Sequence, residues 1–163
     1  MDPNITTILT YWFDDPDPVK KWFSGTLAID SEIKTLFGHL VEKARASDAQ
    51  FTSWTDTPLG TLALLILLDQ FPRNIYRNMP SAFASDAQAL RIATNGIARG
   101  FDRELELDQV AFIYMPLSHS EDLLAQVACV ALYEGLAARC KEEERALVER
   151  SVGFARRRMG VVL

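Results

Sequence analysis

Between Leu62 and Leu68 the chain reads LALLILL, and it runs without a break into the polar string DQFPRNIYR, Asp69 to Arg77. A helix that is apolar on every side is stable only at the centre of a fold, so the remaining elements must be built around this one. The run falls far short of the ~20 apolar residues needed to cross a bilayer, so no membrane span is expected.

The segments around it read as helices. Asp2 before Pro3 is an N-cap with proline at the first helical position, opening a helix through Ile5, Ile8, Leu9 and Trp12 that the acidic DDPDP ends. Asp30 is expected to cap a helix whose apolar residues Ile33, Leu36, Phe37, Leu40, Val41 and Ala44 share one face. Thr57 and Pro58 start the central helix, and Pro72 is expected to end it. Ser85 with Gln88, and Ser118 with Glu121, have capping-box spacing; Gly100 closes the helix that the first box opens, and a helix through Val110 and Phe112 is expected to stop near Pro116. KEEERALVERSVGFARRR supplies the last helix. No stretch alternates like a strand, and Asn95-Gly96 sits among helical periodicity rather than between β-rich runs. The class is all-α, and short Pro- or Gly-marked turns predict antiparallel helical hairpins, as in a solenoid or a bundle.

Composition limits the partners. A chain of 163 residues with 48% hydrophobic and 24% charged residues fits one domain, 1–163, with a continuous core. A net charge of -5 argues against nucleic acid. The only basic run, Arg156 to Arg158, reads as the solvated last turn of a helix. Cys129 and Cys140, if on one helix, are about 16 Å apart along its axis, too far for a disulfide. With His39 and His119 the only histidines and no Cys-x-x-Cys pair, no metal site is expected. No Gly-rich phosphate loop or dinucleotide fingerprint occurs, so no cofactor is expected. MDPNITTILTYWF lacks the features of a signal peptide, which points to the cytoplasm.

The order ILTYWF, KWF, W-x-D-T-P-x-G, LLLDQFPRNIYR, AFASD and PLSHSEDLLAQ resembles an uncharacterised family of bacterial and fungal proteins, the domain-of-unknown-function family numbered nine-two-four. The resemblance extends from about Ile5 to Arg158 and implies a fold similar to tetratricopeptide repeats, with no established activity. Members of that family usually carry a further string resembling FGRFPHRN, which this sequence lacks.

The chemistry concentrates at two places. Leu62, Leu65, Ile66 and Asp69 share a stripe, so Asp69 extends a buried face at a helix end where the dipole disfavours negative charge. Arg73 and Asn74 can meet the carbonyls that Pro72 leaves bare, and Asp69 is expected to pair with Arg73 or Arg77. Beyond that local repair, Gln70, Tyr76 and Arg77 add polar groups, and two guanidiniums near one helix end can grip a carboxylate or phosphate. In PLSHSEDLLAQ, Ser118 or Ser120 would cap a helix whose first-turn N–H groups favour an anion, and His119 with Glu121 forms an acid/base candidate. The Arg73 and His119 strings are expected to converge on one polar cavity. Aromatics such as Trp12 are core residues that can also wall a pocket.

Two functions follow. In the first, a cofactor-free enzyme uses His119, Asp69 and Glu121 for acid/base chemistry on a small anionic or oxygen-rich molecule held by Arg73, Asn74, Arg77, Gln70, Ser118, Ser120 and Trp12. In the second, a TPR-like module binds a peptide or its carboxylate without catalysis. The apolar residues Ala146, Leu147, Val148, Val152 and Phe154, followed by Val161 to Leu163, further predict a homodimer through that face.

Overall fold

The computed structural model describes residues 2–162, apart from the side chains at positions 20, 24, 143, 146, 147, 161 and 162. Among the described residues every regular element is helical and none is a strand. The contacts divide the chain into two compact units, 1–89 and 90–163, a division that falls inside one helix.

In the first unit, the Asp2 side chain accepts from the Asn4 backbone N–H at 2.9 Å and Pro3 fills the first position, so α1 runs Pro3–Phe13. After the acidic turn, α2 covers Pro18–Ser24 and α3 covers Leu27–Arg45. The cap of α3 is Thr26, which accepts from the Ile29 N–H; Asp30 lies in the first turn instead, its carboxylate engaged elsewhere. A 3-10 segment, Ala49–Asp56, leads to α4, Pro58–Leu65, capped by Thr57. A Cβ at Gly60 would overlap the Trp54 carbonyl oxygen, which accounts for the glycine of W-x-D-T-P-x-G. Trp54 itself is buried and donates from Nε1 to Asp2 at 3.2 Å.

Pro72 does not end the central helix. From Ile66 to Gln70 the backbone makes one π turn, in which the Phe71 N–H reaches the Ile66 carbonyl, and α5 continues over Phe71–Ile75. The wider turn accommodates a residue with no N–H and a bulky ring. Leu62 to Leu68 are buried throughout, as a helix apolar on all sides requires. Phe71 stacks on Phe37 at 4.8 Å and meets Trp12 edge-on at 5.4 Å, so α1, α3 and α5 share one aromatic core. After a 3-10 turn, Pro80–Phe83, α6 covers Asp86–Ala98. The expected capping box at its start does not form: the Ser85 hydroxyl donates to the Leu68 carbonyl, and Gln88 donates to Ala44.

In the second unit, Gly100 adopts φ 80° after α6, the left-handed conformation that glycine takes without strain. A 3-10 turn, Phe101–Arg103, precedes α7, Leu107–His119, which passes through Pro116 rather than stopping there. Burial drives this continuation, since Ile113, Tyr114, Leu117 and Ser118 on either side of the proline are enclosed. α8 covers Leu123–Ala137 and α9 covers Glu142–Val162, and α7, α8 and α9 pack on one another. The cap of α8 is Asp122, which accepts from Leu124 at 3.0 Å, not Ser118 with Glu121, because Ser118 is still inside α7. Because α9 extends to Val162, Arg156 to Arg158 are not its last turn; Arg156 pairs with Glu134, and Arg158 donates to the Ser118 carbonyl at 3.3 Å. Both cysteines are free. Of the face proposed for dimerisation, Val148 and Val152 are buried and Phe154 is exposed, while the side chains of Ala146, Leu147, Val161 and Val162, and Leu163, lie outside the described residues.

Candidate functional site

The π turn exposes carbonyls that an α-helix would have used, and polar side chains meet them. Pro72 offers no N–H to Leu68, and the Ser85 hydroxyl takes its place at 2.6 Å. The Asp69 carbonyl accepts from Arg73 Nη1 at 2.6 Å. The Asp69 side chain is 1% exposed; Arg73 Nη1 lies 3.3 Å from its Oδ1, and the Gln70 amide donates to its Oδ2. The expected pairing of Asp69 with an arginine is therefore made by Arg73, one helical turn away. The same guanidinium forks onto Asp86 at 3.0 and 2.9 Å and lies 5.4 Å from the Phe83 ring centre.

A second fork forms on Asp30. Arg77 donates from Nε at 2.6 Å and from Nη2 at 2.8 Å, and the Asn74 amide adds a third bond at 2.9 Å. These bonds, Arg77's above all and then Asn74's, hold the Asp30 carboxyl below the usual carboxylate range against the opposing effect of burial. Gly25, at φ 30°, lies so close under this guanidinium that a Cβ there would overlap it. Tyr76 donates to Glu42, and burial together with that carboxylate raises its phenol above the ordinary value.

Four of the expected binding residues thus fall into two clusters, Gln70 and Arg73 with Asp69 and Asp86, and Asn74 and Arg77 with Asp30. The arginines are already engaged by internal carboxylates. Arg77 Nη1 and Arg73 Nε make no hydrogen bond among the described residues. Trp12 belongs to the aromatic core at 1% exposure. Asp30, expected only as a helix cap, and Asp86 were not singled out as site residues from sequence, although Asp30 stands on the Ile33–Phe37 stripe just as Asp69 extends the stripe of the central helix. Gly25 and Ser85 are invisible to such a reading, since both act across distant segments.

The second string lies in the other unit. Ser118 is fully buried in α7, His119 and Ser120 are half-buried, and Glu121 is exposed. Ser120 Oγ accepts from the Asp122 N–H at 3.1 Å, and Gln126 Nε2 donates to the carbonyls of Ser118 at 2.8 Å and Ser120 at 2.5 Å. Ser118 Oγ and Gln126 Oε1 are buried with no hydrogen-bond partner among the described residues. Nearby, the Tyr114 hydroxyl donates to Asp102 at 2.6 Å, and burial pushes the Cys129 thiol up to about 12, leaving it an inert packing group. No group of side chains with metal-ligand spacing occurs among the described residues, and no described helix is long and apolar enough to cross a membrane.

A family profile, described as a bacterial protein of unknown function (DUF924), matches residues 8–163. The solved structure of a protein of unknown function, ATU0120 from Agrobacterium tumefaciens, is similar at 30% identity and a TM-score of 0.75, with 94% of this chain and 82% of that chain covered. No curated protein matches. The chain belongs to the DUF924 family.

Proposed function

We propose that this family member is a cytosolic binding module with a TPR-like helical scaffold, which takes a small oxygen-rich molecule at the Arg73 and Arg77 end of its interrupted central helix. The observation that carries the reading is the set of guanidinium N–H groups left uncommitted, Arg77 Nη1 and Arg73 Nε, on side chains fixed by Asp30, Asp69 and Asp86. Arg77 is 41% exposed, so a ligand can reach it. Charge decides between the two ligand classes considered from sequence. Three carboxylates, Asp30, Asp69 and Asp86, face two guanidiniums, so a further anion would enter a region already short of positive charge. A neutral hydroxyl- or carbonyl-bearing ligand accepts the free N–H groups without that cost.

Ligand-observed NMR tests this with hexose-sized polyols against dicarboxylates of similar size. Polyols should bind, and Arg77→Lys, which keeps the charge but removes the planar fork, should abolish the signal. Tighter binding of the dicarboxylates, or an unchanged signal in Arg77→Lys, would refute it.

A catalytic reading with His119, Asp69 and Glu121 as acid/base groups is favoured by a different observation, the unpartnered Ser118 Oγ and Gln126 Oε1 beside His119. Buried polar atoms left without partners are uncommon and collect at sites. Turnover of any panel substrate that His119→Asn eliminates would establish it; polyol binding unaltered by His119→Asn, with no turnover, leaves the module reading in place.

A further inference from the structure

α8 carries two faces. Gln126, Cys129, Tyr133 and Leu136 point into its own unit. The opposite face is exposed and largely apolar: Leu124 is 77% and Val127 49% exposed, Ala128, Ala131 and Gly135 are open to solvent, and the exposed Glu134 at its edge is paired with Arg156. Beside it runs an apolar groove of about 400 Å³ lined by Thr94, Ile97, Leu117, Ala128, Ala131 and Leu132. A large side chain standing out next to a hollow of small ones, on one helix, is a self-complementary surface.

We propose that this face is a docking surface for a second copy of the chain, with α8 packed antiparallel on α8 about a two-fold axis between Ala128 and Ala131. Leu124, Ala128, Ala131 and Gly135 follow the 4-3-4 spacing of a helix-packing seam. Reversing the partner helix about that axis sets Ala128 against the second copy's Ala131, and Leu124 against its Gly135. The large residue then meets the smallest one, where an added Cβ finds open space in the single chain. Charge fits the same orientation. Glu121 and Asp122, both exposed, precede α8, and Arg139 and Lys141, both exposed, follow it. The antiparallel arrangement brings the acidic start of each helix beside the basic end of the other, whereas a parallel one would set like charges together. This surface differs from the C-terminal one suggested by sequence and rests on other residues.

Sedimentation equilibrium over a dilution series tests the proposal. The wild-type chain should reach twice its 18.3 kDa mass at high concentration. Gly135→Leu should raise the dimer dissociation constant about tenfold or more, the loss of one well-seated apolar contact. Gly135→Ala should raise the Tm of the single chain through helix propensity while weakening the dimer, so a loss of dimer cannot be mistaken for unfolding. Glu121→Arg and Arg139→Glu should each weaken association, and the two together should restore it. A monomer throughout the series, a dimer indifferent to Gly135→Leu, or charge swaps that do not rescue one another would each overturn the proposal.

Discussion

Pro72 and Pro116 set two helices the same problem, and the side-chain bonds to the backbone around them differ in chemistry. At Pro72 the backbone widens into a π turn, and the repair relies on charge: Arg73 joins the Asp69 carbonyl, the buried Asp69 carboxylate and Asp86, with Ser85 closing the Leu68 carbonyl. Around Pro116 the donors are mostly neutral. The Tyr133 hydroxyl reaches the Ala111 carbonyl at 2.9 Å, the Cys129 thiol approaches the Tyr114 carbonyl at 3.7 Å, and Gln126 serves the Ser118 carbonyl at the helix end. The first region should therefore respond sharply to the loss of single ionic groups. The second should yield in small increments.

The largest effect expected is from Arg73→Ala, which leaves the Asp69 carboxylate buried without its cation and should destabilise by about 3–5 kcal/mol. Asp69→Ala should cost less, about 1–3 kcal/mol, because Arg73 keeps its fork on Asp86 and only hydrogen-bonded polar groups lose a partner. Urea unfolding of the two variants gives the order directly. Equal losses would show that the pair, rather than the buried carboxylate, sets the stability of this end.

Ser85→Ala and Tyr133→Phe make the same comparison with neutral groups. Ser85 and Leu68 are both enclosed, so removing the hydroxyl orphans a buried carbonyl and should cost about 1–3 kcal/mol. Tyr133→Phe keeps the edge-on contact of its ring with Tyr114 and removes a bond that is partly buried, so about 0.5–1.5 kcal/mol is expected. A larger loss at Tyr133 than at Ser85 would break the contrast between the two regions.

What could be read in advance follows from range along the chain. The helices, the Asp2 and Thr57 caps, the central place of Leu62 to Leu68 and the Asp69–Arg73 pair all come from residues within a turn or two of each other. The misread features have partners far off. Ser85 has capping spacing with Gln88, but the Leu68 carbonyl left bare by Pro72 draws its hydroxyl away, and Asp30 resembles a cap only until Arg77 arrives from 47 residues downstream. Both prolines were expected to end helices because the local rule weighs one lost hydrogen bond and a ring clash. Apolar burial on both sides of each proline outweighs it, and at Pro72 the Ser85 hydroxyl also serves the freed Leu68 carbonyl. That Arg73 and Arg77 stand as forked donors near one helix end was legible as residue type and spacing. That their forks are held by Asp86 and Asp30 was not, since neither acid lies in the string itself.

The smallest effect separates the regions by pH. The Asp30 carboxyl is held below its ordinary value of 3.8, by Arg77 first and Asn74 second, so its folded pKa is depressed. A depressed carboxyl contributes stability that is present above the unfolded value and is lost as pH falls through the folded one. Asp30 therefore contributes in full near neutrality and gives way only below about pH 4. Asp15, half-buried and bonded to Lys21, is shifted the same way, so the acid limb belongs to more than one group. In Asp30→Asn the amide cannot reproduce the fork, so stability near neutrality should fall, and the curve of Tm against pH should be shallower below pH 4 than in the wild type. Tyr133→Phe should lower the same curve by a constant amount across the acid range, because no proton is exchanged at that bond. Parallel acid limbs in Asp30→Asn and the wild type would mean that the Arg77 fork does not depend on the carboxylate charge, and the contrast between an ionic and a neutral repair would fail at its most sensitive point.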